Sequence, residues 1–142
     1  MSVTFEHRVL DLIINNSSEH LDQWLRAVGQ EMLNDVKLSF GTSPAGETYV
    51  RRSVAHVASQ AGYPPNVDTG ALRASMRVEK VGELYYRLQD GVKYGYWLEI
   101  GTPRMRKRPF VVPVVEKWRS DLIFQHALKF GLISKLARQD GN

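Results

Sequence analysis

The triplet Asp68-Thr69-Gly70 is the part of this sequence whose residue types come closest to a catalytic motif. In a small aspartic-type hydrolase two chains each supply such a triplet, so that two carboxylates share one proton. Here, however, the triplet follows Tyr63-Pro64-Pro65-Asn66 and not an apolar strand. A tight turn suits that setting, because an aspartate accepts from the backbone two residues on and Gly70 supplies a positive φ. We therefore predict a structural turn at Asp68, Thr69 and Gly70, with a homodimeric aspartic-type protease as an alternative.

No other group of residues matches a catalytic or metal-binding pattern. The four histidines are dispersed, and none has a second histidine three or four residues away. Cysteine is absent from the sequence, which excludes disulfides and thiolate ligands and suits a reducing cytoplasm. The sequence also has no glycine-rich loop for a nucleotide and no serine in a nucleophile elbow. We predict a protein that is not an enzyme and that uses no cofactor and no metal.

Positive charge is concentrated in two short runs of a chain whose net charge is +4 over 142 residues. One run is Arg51-Arg52, and the other holds Arg104, Arg106, Lys107 and Arg108. Solvated loop charge explains both runs, but the second run also suits DNA phosphates or an acidic neighbouring subunit. A small basic nucleic-acid-binding protein is therefore an alternative function. No apolar run is long enough for a membrane span, so we expect no membrane partner.

Two ordered patterns carry the strongest functional signal. The first runs from Pro64-Pro65 through Asp68-Thr69-Gly70-Ala71-Leu72-Arg73-Ala74-Ser75. The second is Tyr94-Gly95-Tyr96-Trp97-Leu98-Glu99-Ile100-Gly101-Thr102, followed by Arg108-Pro109-Phe110. Over roughly positions 60 to 118 their order and spacing resemble the neck and tail-completion proteins of long-tailed bacteriophages and prophages.

The resemblance implies a structural virion protein that assembles as a homo-oligomeric ring at the phage neck or tail end. Such a ring joins or completes the tail and lets DNA pass, with phage connector, neck and tail-tube proteins as partners. The resemblance also implies that the protein assembles in the host cytoplasm and ends in the virion. The residues that we expect at the subunit interface are Arg73, Tyr94, Tyr96, Trp97, Glu99, Thr102, Arg108 and Phe110. Gly101 is expected as a further turn residue, and Arg104, Arg106 and Lys107 as contacts with DNA or an acidic partner on a mobile loop.

Helical periodicity is clearest over residues 18–39, where apolar residues recur with a period of 3.6. Asn16 with Glu19 three residues later predicts the N-terminal cap, and Gly41 predicts the stop. A second helix is predicted over 113–130, with Pro113 in its first position and Gly131 as its stop. A shorter helix fits residues 5–14.

Between the two main helices the sequence predicts a long projecting loop over 41–70 and an antiparallel meander over 74–100. Valines inside the loop fit either a helix or a strand. Turns at Gly82-Glu83 and Asp90-Gly91 separate three predicted strands. Residues 92–100 alternate as a strand, which places Glu99 on the outer face of the sheet, although the same residues also fit one helical turn.

These elements predict an α+β fold in a single domain spanning 1–142, a length typical of one domain. A small antiparallel sheet of three to four strands would pack against the two long helices. Two loops would project from this body: the loop over 41–70 and the loop over 102–109, which we call the basic loop. Residues 132–142 would form a flexible C-terminal tail.

Overall fold

The computed structural model describes residues 17–130, except for the side chains of residues 120, 121 and 124. It shows an α+β fold. The elements in chain order are α1 (Ser18–Ser39), β1 (Ala45–Arg51), β2 (Val54–Ser59), α2 (Ala71–Ser75), β3 (Arg77–Gly82), β4 (Tyr85–Gln89), α3 (Lys93–Ile100), α4 (Val112–Lys117), a π-helical turn (Trp118–Leu122) and α5 (Ile123–Phe130). The predicted helix over 5–14, the cap at Asn16, the stop at Gly131 and the tail over 132–142 lie outside the described residues.

The predicted amphipathic helix is present as α1, with its apolar stripe buried. The N-cap is Ser17 and not Asn16, because the Ser17 hydroxyl accepts the amide of His20 at 3.2 Å. The helix ends at Ser39, and Gly41 follows with φ +81°, which suits glycine after a helix.

The second helical region runs from Val112 to Phe130, so it begins one residue before the predicted start and Pro113 is its second residue. It is not a uniform α-helix, because a π-helical turn separates α4 from α5. Two polar contacts tie the region to α1. Trp118 Nε1 donates to Asp35 Oδ2 at 2.8 Å, and His126 Nε2 lies 3.3 Å from Glu31 Oε1.

The core of the described chain is built mainly from α1, α2 and the region from Phe110 to Phe130. Its buried apolar residues include Trp24, Val36, Leu72, Met76, Phe110, Val114 and Trp118. The β3–β4 hairpin packs on α1 and adds half-buried Val78 and Leu88. On that side Asp22 accepts Tyr86 Oη at 2.9 Å and lies 3.0 Å from Lys80 Nζ. The Lys80 ammonium is the main reason why the pKa of Asp22 lies below its ordinary value.

The segment over 41–70 is not a structureless loop, because residues 45–59 form the antiparallel β1–β2 hairpin. Its two-residue turn is Arg52-Ser53, with φ values of +50° and +63°. This is the backbone of a type I′ turn, which Asn-Gly usually supplies. Neither Arg52 nor Ser53 is typical of such a turn, so the sequence predicted a loop over 41–70 and no hairpin.

The prediction of one antiparallel sheet with three to four strands is wrong. Four strands form, but within residues 17–130 they make two separate two-stranded sheets, β1–β2 and β3–β4. The predicted third strand of the meander is instead the helix α3. The turn between β3 and β4 lies at Glu83-Leu84, one residue beyond its predicted position, and Leu84 has φ +51°.

Candidate functional site

The Glu99 side chain joins the two halves of the second motif. Its carboxylate accepts three successive backbone amides where α4 begins: Phe110 and Val111 through Oε2 at 3.0 and 3.1 Å, and Val112 through Oε1 at 2.8 Å. A carboxylate at this position also complements the positive end of the helix dipole. The placement of Glu99 on the outer face of a strand is therefore wrong. Its carboxylate is engaged inside the chain and does not stand free for an ion pair across a subunit boundary.

Helix α3 holds Glu99 in place by passing close to the preceding loop. A Cβ at Gly95 would overlap the carboxyl group of Asp90, so a larger residue there would displace that side chain. Burial raises the pKa of Asp90, the Glu99 charge raises it further, and Arg77 partly opposes both. The chain after Asp90-Gly91 enters the helix α3, so this pair does not form the predicted hairpin turn.

The other faces of α3 are exposed. Tyr94, Tyr96, Trp97 and Ile100 keep 47%, 60%, 50% and 51% of their surface. The rings of Tyr96 and Trp97 meet edge to face with centroids 5.1 Å apart. We call Tyr96, Trp97 and Ile100 the aromatic patch. Trp97 is thus accessible to another subunit, although it lies on a helix and not on the predicted strand.

The first motif forms a turn, but Asp68 acts differently from the prediction. Its carboxylate lies 2.6 Å from Nη1 of Arg51 on the hairpin. The predicted bond to the backbone two residues on is made instead by Thr69, whose Oγ1 accepts the Ala71 amide at 3.3 Å. Gly70 has φ +80°, as predicted, and Leu72 anchors the turn in the core. The triplet thus precedes the five-residue helix α2 and does not follow an apolar strand.

The remaining interface candidates have mixed positions. Phe110 is 1% exposed, so its ring is part of the protomer core and does not reach a neighbouring subunit. Arg108 is half-buried and donates from Nε to the Ser59 carbonyl at 3.1 Å. Arg73 is exposed on α2 and not at the start of a strand. Thr102 is half-buried in a turn, where its amide donates to the Met105 carbonyl at 2.8 Å.

The backbone of the basic loop is attached to the body at both ends. Gly101 is the C-cap of α3 with φ +82°, and a Cβ there would lie 2.9 Å from the Lys107 amide nitrogen. The Arg108 amide donates to the Leu98 carbonyl at 2.6 Å, and the Gly62 amide to the Lys107 carbonyl at 2.9 Å. The side chains of Arg104, Arg106 and Lys107 are exposed.

The two motifs, the hairpin and the basic loop surround one groove of about 1020 Å³. Its walls are the β1–β2 hairpin, residues 65–73, one side of α3 and residues 104–108. Five arginines line it: Arg51, Arg73, Arg104, Arg106 and Arg108. The structure thus brings Arg73 together with Arg104 and Arg106, whereas Lys107 is not part of the lining.

Sequence reasoning missed the hairpin's part in this groove. Tyr49 and His56 lie on opposite strands in register and stack with ring centroids 5.4 Å apart. The alternation of Tyr49, Arg51 and the valines could have indicated a strand pair, but the turn residues gave no support. Among residues 17–130 no group of three or more metal-ligating side chains forms a site. No helix in the same range is long and apolar enough to cross a membrane.

Comparisons of the chain with protein-family models, curated proteins and solved structures find no match.

Proposed function

We propose that the protein is a structural virion component of the phage neck or tail end, which assembles as a ring, joins or completes the tail and lets DNA pass. Its partners are further copies of itself and the connector, neck and tail-tube proteins. It assembles in the host cytoplasm and ends in the virion. The ordered motifs at Asp68–Ser75 and Tyr94–Phe110 support this proposal through their resemblance to that family.

The aromatic patch is the single structural observation that carries the proposal. Tyr96, Trp97 and Ile100 are half or more exposed on a helix that Glu99 anchors to the start of α4. Exposed tryptophan and tyrosine on a rigid element are typical of interface anchors. A surface that docks on a different surface of the next copy generates a closed ring when the rotation closes, and the patch would be one such surface.

The test compares Trp97→Ala with Tyr85→Ala, an exposed aromatic on β4 outside the patch. We expect Trp97→Ala to weaken assembly by about thirtyfold, the effect of losing an interface anchor worth about 2 kcal/mol. Tyr85→Ala should assemble as the wild type does. Sedimentation velocity and negative-stain electron microscopy measure the rings, and incorporation into virions measures assembly on a neighbouring ring.

Wild-type rings or virions formed by Trp97→Ala would contradict the role of the patch. The gene neighbourhood tests the class itself, because portal, connector and major tail genes should lie beside the gene. A small basic nucleic-acid-binding protein is the second candidate, and the five arginines of the groove favour it. It requires tight, salt-dependent binding of nucleic acid by the monomer.

A further inference from the structure

The arginines of the groove differ in whether their guanidinium groups already have a partner within the chain. Arg51 pairs with Asp68, and Arg108 donates to the carbonyls of Ser59 and Arg106. Among the described residues, the side chains of Arg73, Arg104 and Arg106 have no hydrogen-bond or ion-pair partner. Arg73 lies on α2, and Arg104 and Arg106 lie on the basic loop, but all three line the same groove. We call them the arginine trio.

We propose that this groove binds an acidic, extended polypeptide segment of a different protein, with its carboxylates on the arginine trio. The proposal goes beyond ring formation and holds whether or not the protein assembles with itself. It rests on the convergence of Arg73, Arg104 and Arg106 on a groove of about 1020 Å³. Guanidinium groups bind carboxylates through paired hydrogen bonds, which makes arginine well suited to such a segment.

The rest of the lining suits a peptide better than a nucleic acid. Val57, Leu98 and Met105 give the groove aliphatic contacts that the side chains of a peptide can fill. Two carboxylates, Glu47 and Asp68, also line it and would repel any anion beside them, which disfavours an unbroken row of phosphates more than a peptide whose carboxylates are spaced apart. One face of Tyr49 is covered by His56, which leaves less ring surface for stacking a base.

A second copy of this chain does not supply the matching charge. The net charge is +4, and no two of the 15 acidic residues are closer than three positions in the 142-residue sequence, so it contains no segment in which acidic residues alternate with others. A copy would also present its own cationic run Arg51-Arg52 at the hairpin tip. Like charges at an interface disfavour the wrong partner, so charge complementarity identifies a more acidic protein as the occupant.

The experiment measures fluorescence anisotropy of a labelled ten-residue peptide that alternates glutamate and leucine. The comparison probes are the same peptide with glutamine for glutamate and a twelve-nucleotide oligothymidylate. The full chain is used as wild type, as Arg73→Gln/Arg104→Gln/Arg106→Gln, and as a charge-matched control. The control is Arg26→Gln/Arg87→Gln/Arg119→Gln, which removes three exposed arginines outside the groove.

We expect the acidic peptide to bind the wild type and the control equally, and the trio variant about tenfold more weakly, as for three exposed ion pairs. Equal losses in both triple variants would overturn the proposal, because bulk charge would then explain binding. Tighter binding of the oligothymidylate than of the acidic peptide would overturn it in favour of nucleic acid. Absence of peptide binding at low salt would also overturn it, and none of these results depends on ring formation.

Discussion

Glu99 is the residue on which the second motif depends, and its role is internal. It lies at the end of α3, and its carboxylate accepts the amides of Phe110, Val111 and Val112. Phe110 and Val111 lie just before α4 and Val112 is its first residue, so none of these amides has an acceptor within the helix. One side chain therefore caps α4, fixes the exit of the basic loop and holds α3 with its aromatic patch in place.

Replacing Glu99 by alanine should destabilise the fold itself. Two half-buried amides and the exposed amide of Val112 would lose a charged acceptor, and we expect a loss of about 2 kcal/mol in the free energy of unfolding. Glu99→Gln keeps one acceptor oxygen and should fall between the alanine variant and the wild type. Urea unfolding followed by tryptophan fluorescence measures both variants.

The matched control is Glu116→Ala, which removes an exposed carboxylate from α4. It should change stability by no more than about 0.5 kcal/mol, as for an ordinary surface position. A similarly small effect of Glu99→Ala would show that the cap does not stabilise the protein. Charge reversal at Glu99 is consequently a poor test of a subunit interface, because it also disrupts the protomer.

Single residues were predictable where a local rule decides their role. Gly70 and Gly101 have positive φ, and Leu72 is buried, as turn chemistry and spacing indicate. The partners of Glu99 and Asp68 were not predictable. Phe110 comes close to Glu99, and Arg51 close to Asp68, only after the chain folds. Phe110 is only 1% exposed, so its ring packs in the protomer core and cannot make the expected contact with another subunit.

At the scale of elements, α3 shows how an alternating pattern misleads. Residues 92–100 alternate like a strand, yet they form a helix in which Tyr94 and Leu98 share the side that lines the groove. The helical form also brings Glu99 to the start of α4, which a strand in the meander would not do. In this segment tertiary contacts therefore decided between two local conformations that the sequence allowed.

The β1–β2 hairpin shows the opposite problem, in which strands form around a poor turn. Arg52 and Ser53 both adopt positive φ, which costs a non-glycine residue roughly 1 kcal/mol or more. The strands also carry exposed Val50, Val54 and Val57 and place little surface in the core. The hairpin is thus the element that a better turn should stabilise most.

Replacing Arg52-Ser53 by Asn-Gly should stabilise the hairpin, because this pair suits a type I′ turn. We expect slower amide hydrogen exchange by about fivefold in residues 48–57, corresponding to roughly 1 kcal/mol of relieved strain. Exchange in α1 should not change. The control Thr42→Asn/Ser43→Gly places the same pair before β1, and faster or unchanged exchange in the hairpin of the Asn-Gly variant would contradict the turn assignment.

At the scale of the whole molecule, the buried core and the proposed binding surfaces occupy separate parts of the described chain. The fully buried apolar side chains come from α1, residues 72–76 and the region from Phe110 onward. The aromatic patch, the arginine trio and the outer hairpin lie outside that core. The α+β class and the two helical regions follow from strong periodicity, whereas the groove depends on how elements without such a signal come together.

This division predicts that the protein folds without most of its hairpin. Replacing residues 47–58 by Asn-Gly keeps the base of the hairpin, where the Gln60 amide donates to the Pro44 carbonyl at 2.8 Å. We expect the free energy of unfolding to fall by no more than about 1 kcal/mol, because the removed residues are mostly exposed. Urea unfolding measures it, with the Asn-Gly turn variant of the full hairpin as control.

Binding should respond differently from stability in the same variant. The truncation removes one wall of the groove, including Tyr49, His56 and Val57, while the arginine trio stays. We expect the acidic peptide to bind about tenfold more weakly, because three ion pairs at an exposed surface contribute little without the adjoining apolar wall. A truncated protein that unfolds would show that the hairpin belongs to the cooperative core. One that folds and binds the peptide at full strength would place the site on the basic loop alone.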